Sequence, residues 1–367
     1  MGGSNWSELQ PELLQAIRSR VLKNSVVDYI RFGAVCKPWG SVILEKPRCP
    51  PPQIPHIMIS SPRSSCFYSL DSKNHYRRER ECKSNYGRFT VGRDHGWMVT
   101  VGHNDLGLLT ASLVNPITGD EILLPLLNGL HISNATLSSH PTLTRDSENH
   151  CLVMALVTVE FSSESIVFCK PGDDKWTVIE NVKDCNDLAY CNGVLYCLSS
   201  IKRAVIVCDI ATSSVVEQID LPNSFEKRGR CYLIESFGEL LLLRAHFGQR
   251  YALGDERVAL GDDRVVGFDV FRLDQSSRKW SEVKSLGDRT IFLSRRSKIS
   301  LLASNHPGTK PNCILFLVGN SILFLLGGKR YTVFSLEDNS TEEFPFDAKL
   351  NDQDSLLLPV WFTPSLW

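Results

Sequence analysis

The chain has 367 residues, 43% of them hydrophobic and 22% charged, with a formal net charge of −1. These are the proportions of a globular protein, and the length allows one small domain plus one large β-architecture. A charge balance near zero removes any global electrostatic reason to expect nucleic-acid or membrane binding.

The first stretch, "MGGSNWSELQ", is polar and lacks the apolar core of a secretory leader. Gly2 would suit myristoylation, but Trp6 stands where that motif takes Ser or Thr. Residues 9 to 46 then carry the only strong helical pattern. Leu13, Ile17 and Val21 recur every four residues with Leu14 beside them, and Pro11 sits where a first turn tolerates proline. A second helix is expected from Ser25, where Ser25 and Asp28 resemble a capping box. A third starts near Pro38 and carries Trp39, Val42 and Ile43. Three short helices bury little surface alone, so the unit is expected to gain stability by packing on a partner. Five prolines from Pro47 to Pro55 follow as a semi-rigid spacer. The expected division is 1–46 helical unit, 47–55 spacer and 56–367 β-domain.

From about residue 54 the period changes to short strands and turns. One hairpin-like unit recurs, starting at Phe67, Ser112, Ile166, Ile206, Phe268 and Tyr331. Between these lie other strand pairs, with Asn192-Gly193 and Phe237-Gly238 as two-residue turns. Units of about 50 residues match kelch-type propeller blades, so the expected fold is a small all-α unit followed by an all-β propeller of about six blades. The apolar run "CILFLVGNSILFLLGG" is interrupted at Gly319, Asn320 and Ser321, and reads as a hairpin of two buried strands rather than a membrane span.

Two resemblances attach to these residues. The segment from Trp6 to Ile43 resembles an F-box, with Leu9, Pro11, Leu14, Ile17, Val35, Cys36 and Trp39 in the motif's places. Gln10 separates Leu9 from Pro11, and Gly33 and Gly40 stand where helix-friendly residues are commoner. "HGWMVT", "LVNPITGDEILLP", "YCNGVLYCL", "SLGDRTIFL" and "HPGTKPNCILF" resemble the plant F-box proteins that carry a KIB-type β-propeller. The resemblance implies a substrate-recognition subunit of an SCF-type cullin–RING ubiquitin ligase in the cytoplasm or nucleus. It implies a Skp-type adaptor held by those seven residues and an unidentified protein target held by the propeller. It implies no cofactor, nucleic acid or membrane partner.

Catalytic patterns are missing from the sequence: there is no G-x-S-x-G elbow, P-loop, H-E-x-x-H or spaced Cys/His set. The twelve cysteines include no CxxC pair and read mostly as small buried hydrophobes without disulfides. Asn134 and Asn339 match glycosylation acceptors that a cytosolic chain would leave unmodified. His95 reads as a strand-end hydrogen-bonding residue, and Asp288-Arg289 as a pair tying one blade to its neighbour. His75–Lys83 and Arg295–Lys298 are basic runs, readable as solvated faces or as contacts to an acidic protein target. Trp176 and Trp280, at matching places in two hairpins, read as inter-blade packing, whereas Trp39 serves the helical core, the adaptor contact or both. Two other readings stand beside the ligase subunit: a propeller scaffold with no ligase role, and a propeller enzyme with a central-channel site.

Overall fold

In the computed structural model, residues 6–24, 26–44, 53–60, 64–79, 88–104, 106–141, 151–159, 163–223, 229–248, 265–317, 330–346 and 359–365 are described. The expected capping residue Ser25, most of the proline spacer and the second half of the "CILFLVGNSILFLLGG" run lie outside these residues. No helix among the described residues is long and apolar enough to cross a membrane.

Three helices form the N-terminal unit: α1 (Pro11–Asn24), α2 (Val26–Gly33) and α3 (Lys37–Leu44). Proline at the first position of α1 loses no helical hydrogen bond, and Glu12 in the first turn complements the helix dipole. Gly33 ends α2, and the turn that follows closes through Ala34 N–H donating to the Ile30 carbonyl at 3.1 Å. The two glycines have a packing reason. A Cβ on Gly33 would overlap Ile43 of α3, and one on Gly40 would lie 3.1 Å from the Gly33 carbonyl. They let α2 and α3 approach closely.

Among the described residues, the remaining chain builds strands in six successive units. In the first, Val360–Phe362 pairs with His56–Ser60, followed outward by Ser64–Tyr68 and His75–Glu79. The chain's last described strand is therefore the innermost of the first unit. The second unit (Phe89–Asp94, Trp97–His103, Leu109–Val114, Glu121–Leu123) and the third (Leu130–Leu137, Val153–Val159, Ser163–Cys169, Thr177–Ile179) share one eight-stranded sheet. Their inner strands meet in parallel at Gly92 and Ala135, where a Cβ on Gly92 would overlap the Ala135 carbonyl. The fourth unit runs Asp187–Cys191, Val194–Ser199, Ala204–Asp209 and Ser214–Asp220; the fifth runs Arg230–Ser236, Glu239–Phe247, Val265–Asp274 and Lys279–Glu282. The sixth has five strands among the described residues: Lys298–Leu302 lies innermost, beside Arg289–Leu293, then Cys313–Leu317, Arg330–Ser335 and Thr341–Pro345. This is an all-β region of propeller type. The six hairpins read from the sequence are the outer strand pairs of the six units in order.

Apolar clusters fill the spaces between neighbouring units. Trp176 packs with Val91, Trp97 and Leu127 and donates its indole N–H to the Pro125 carbonyl at 3.0 Å, joining the third unit to the second. Trp280 packs against the cluster shared by the fourth and fifth units. Arg289 reaches Glu239 of the fifth unit at 2.6 Å, as expected of an inter-unit tie. Its neighbour Asp288 instead stays within the sixth unit, accepting from Ser304.

Two expectations are corrected. Cys185 and Cys197 form a disulfide with Cα atoms 6.0 Å apart. The hydrogen bond from Asn186 N–H to the Leu198 carbonyl lays the residues before the fourth unit's inner strand against its second strand, which brings the two sulfurs together. The helical unit is also not independent of the β-region. Leu22, Val26 and Tyr29 share one buried cluster with Met58, Phe67, Met98, Val360 and Phe362. The surface expected to await a partner is already partly covered by the chain's own first two units.

Gly92→Ala should destabilise the protein by about 1–3 kcal/mol through overpacking at the seam, read as a fall in the chemical-denaturation midpoint. Because the overlap is with a backbone carbonyl, adding Ala135→Gly should not restore it. His56, beside Tyr76 and bonded through Nδ1 to the Ile54 carbonyl at 3.0 Å, has its pKa lowered to about 4 by burial. The unfolded chain takes up that proton near pH 6.5, so the His56 contribution is present above pH 6.5 and is lost as pH falls toward 4. Equilibrium unfolding across this window should show a shallower pH dependence for His56→Gln than for the natural chain.

Candidate functional site

The seven residues in the F-box places divide by exposure. Leu14 is 2% exposed and belongs to the unit's own core, so any part it takes in docking is indirect. Leu9, Ile17, Cys36 and Trp39 are half-buried, while Pro11 and Val35 are exposed. Trp39 stacks at a tilt on Phe32, with centroids 4.6 Å apart, and its indole N–H reaches the Trp6 carbonyl at 3.0 Å. It therefore ties the short 3-10 turn Trp6–Glu8 to α3. The sequence reading missed Trp6 and the outward turn of Leu13, which are 63% and 51% exposed. Leu13 and Leu22 lie nine residues apart, about two and a half helical turns, and hence on opposite faces of α1. Leu22 anchors the unit to the β-region, and Leu13 faces away from it.

The inner strands of the six units surround a second feature. Their ends, at Asp94–Gly96, Thr136–Ser138, Tyr190 and Asn192, Ile234 and Phe237, Leu301–Leu302 and Trp361–Ser365, line a cavity of about 700 Å³. Leu22 and Val26 of the helical unit line it too. His95, Asn192 and Phe237 all occupy left-handed backbone positions before a glycine, which fixes tight two-residue turns at this end. His95 donates its backbone N–H to Asp94, matching its reading as a strand-end residue.

The inner wall is held by Asp187, at the start of the fourth unit's inner strand and 5% exposed. Its carboxylate accepts from Lys298 Nζ at 2.7 Å, Leu188 N–H at 3.0 Å, Leu233 N–H at 2.8 Å and Asn134 Nδ2 at 3.3 Å. Asn134, one of the two glycosylation-type asparagines, is thus engaged in an inner strand. Lys298 and Leu188 line both the large cavity and a small void of about 20 Å³ beyond it, so the ion pair stands between the two. Arg295 and Arg296 lie on the far side, lining the small void. The sequence run Arg295–Lys298 is thereby split: Lys298 turns inward, Ser297 is buried, and the arginines face out.

Reactive groups do not converge in these places. Among the described residues no group of three or more His, Cys, Asp or Glu could hold a metal ion. Burial pushes the Cys151 thiol up to about 11 and Cys208 up to about 12, which disfavours the thiolate nucleophile.

Comparison with known proteins supplies the family. Residues 67–342 match the family described as KIB1-4 beta-propeller. The chain is 26% identical to the Arabidopsis thaliana protein At3g25750, with 93% of this chain and 94% of that protein covered. It is 24% identical to F-box protein At2g26160 (85% and 95% covered) and 25% identical to F-box/kelch-repeat protein At1g57790 (80% and 77% covered), both from Arabidopsis thaliana. Among solved structures, TolB from Acinetobacter baumannii superposes with a TM-score of 0.45 at 11% identity, covering 85% of this chain and 66% of that one. The arrangement is that of a three-helix unit ahead of a propeller-type domain. The chain belongs to the KIB1-4 beta-propeller family and combines that domain with an F-box.

Asp187→Ala would leave the Lys298 ammonium buried without its counter-charge, and should cost about 3–5 kcal/mol of stability. The double change Asp187→Ala/Lys298→Met should recover only the part of that loss due to the unpaired ammonium in the same denaturation experiment, because the Leu188 and Leu233 N–H groups and Asn134 still lack their acceptor.

Proposed function

We propose that the chain is the substrate-recognition subunit of an SCF-type cullin–RING ubiquitin ligase. Residues 1–46 would be the adaptor-binding F-box, 47–55 the spacer and 56–367 one closed six-bladed propeller that holds a protein target. The observation that carries this reading is the exposed apolar surface of the helical unit. Trp6, Leu13 and Val35 are 63%, 51% and 58% exposed, on a unit whose opposite side is anchored to the β-region. Water-facing side chains of this size on so small a unit fit insertion into an apolar groove of a Skp-type adaptor. Leu9, Pro11, Ile17, Cys36 and Trp39 would border that contact, with Leu14 supporting it from inside.

Catalysis on this reading is proximity. The subunit raises the local concentration of a target lysine beside a charged ubiquitin carrier and contributes no reacting side chain. The cytoplasm and nucleus are where such a complex would work.

The test is capture by a purified Skp-type adaptor. The natural chain should bind, and Leu13→Asp/Val35→Asp should lose at least about tenfold in affinity, since a few apolar anchors dominate such interfaces. Both positions are exposed, so the variant should melt at the natural temperature. No binding by the folded natural chain would favour the scaffold reading instead.

A further inference from the structure

The end of the inner strands remote from the helical unit carries a second set of side chains. Here the turn Ser294–Ser297 joins Arg289–Leu293 to Lys298–Leu302. Its two serines are 1% and 2% exposed and bond each other through Oγ at 2.6 Å. Ser294 N–H donates to the Ser297 carbonyl at 2.9 Å, and Ser297 Oγ accepts from Trp361 N–H at 2.9 Å. A turn pinned at both buried corners presents its two middle residues, Arg295 and Arg296, to solvent in a fixed place. Arg296 is further aimed by donating to the Thr90 carbonyl of the second unit at 2.9 Å.

These arginines are not isolated. Arg93 and Lys298 line the same small void as Arg295 and Arg296. Burial raises the pKa of the Tyr232 hydroxyl, and the charges of Arg230, exposed at the start of the fifth unit's inner strand, and of Arg295 oppose the rise. Two carboxylates are near. Asp187 is taken by Lys298, and Asp94 by the Thr136 hydroxyl and the His95 N–H. On a chain of net charge −1, cations have been gathered at one end of one channel. Phe89, 64% exposed, starts the adjoining inner strand and adds an apolar contact.

We infer that this end of the propeller-type domain binds an acidic segment of a protein, with a phosphate or paired carboxylates bridging Arg295 and Arg296. This inference rests on the target-binding reading above and names the surface used. Guanidinium groups suit such anions because their planar forks donate two parallel hydrogen bonds to one oxyanion group. A rigid turn loses little freedom on binding.

The probes are fluorescein-labelled peptides, equal in length, that are glutamate-rich, phosphoserine-containing or neutral, with a single-stranded DNA of matching charge. Fluorescence anisotropy is read on the full chain. An acidic peptide should bind at least about tenfold more tightly than the neutral one and weaken as salt shortens the screening length. Arg295→Ser/Arg296→Ser should lose at least about tenfold, and Arg230→Ser a smaller factor, whereas Arg77→Ser on an outer strand should bind as the natural chain does. The better of the two acidic peptides identifies phosphate or carboxylate as the recognised group. Binding of the neutral peptide as tightly as the acidic ones would overturn the inference. So would tighter binding of the DNA, or full binding by an Arg295→Ser/Arg296→Ser protein with unchanged melting. Adaptor capture on the same preparations separates the two readings: adaptor binding without acidic-peptide binding removes only this inference.

Discussion

The carboxylate of Asp187 is the point on which the β-region turns. One buried group accepts hydrogen bonds from the third, fourth, fifth and sixth units, through Asn134, Leu188, Leu233 and Lys298. A buried ion pair is weak support for stability in itself, because desolvation offsets much of the attraction. What it supplies here is position. A shift of any of the four inner strands would break a bond to a group that water cannot reach. The pair also stands between the large cavity and the small void, so the same interaction that registers the strands divides the space between them.

The first two units depend on other devices. Gly92 permits a backbone approach to Ala135 that no side chain would allow. The strand Val360–Phe362 binds the chain's last described strand to His56–Ser60, the first β-segment. Trp361 secures that strand from the other side, donating its indole N–H to the Leu293 carbonyl at 3.0 Å and packing edge-on against Phe292. The first unit is thus assembled from strands about 300 residues apart, a non-local pairing that carries a large loop-closure entropy.

Local pattern reached some of this and not the rest. The three helices and six outer hairpins were legible because each is a short segment with its own period and its own turn residues. The inner strands were legible only where the Asn192-Gly193 and Phe237-Gly238 turns end them, in the fourth and fifth units, and even there their inner position was not. They lie against neighbouring units, and a strand such as Arg230–Ser236 shows little alternation. Asp187 carried no signal at all, since its partners come from residues 53 positions before it to 111 after. Lys298 sat in a basic run and read as surface; only the fold turns it inward. The same lack hid the sides of α1. A period of four marks an apolar stripe, but it does not say that Leu22 meets Met58 and Phe67 while Leu13 meets solvent.

That division of α1 constrains how the proposed ligase subunit would work. A unit joined to the β-region only through a proline spacer could swing, and the target's position would then be an average over linker conformations. Anchoring by Leu22, Val26 and Tyr29 in the cluster of Met58, Met98 and Phe362 removes much of that freedom. Tyr29 reinforces it within the unit, accepting from Arg18 Nε at 3.0 Å. The exposed apolar face of the helical unit and the arginine turn are then held at opposite ends of one packed body. Effective concentration depends on geometry as strongly as on affinity, so a rigid spacing selects which target lysines can reach the ubiquitin carrier. On this reading the apolar seam between helices and strands is a determinant of lysine choice as well as of folding.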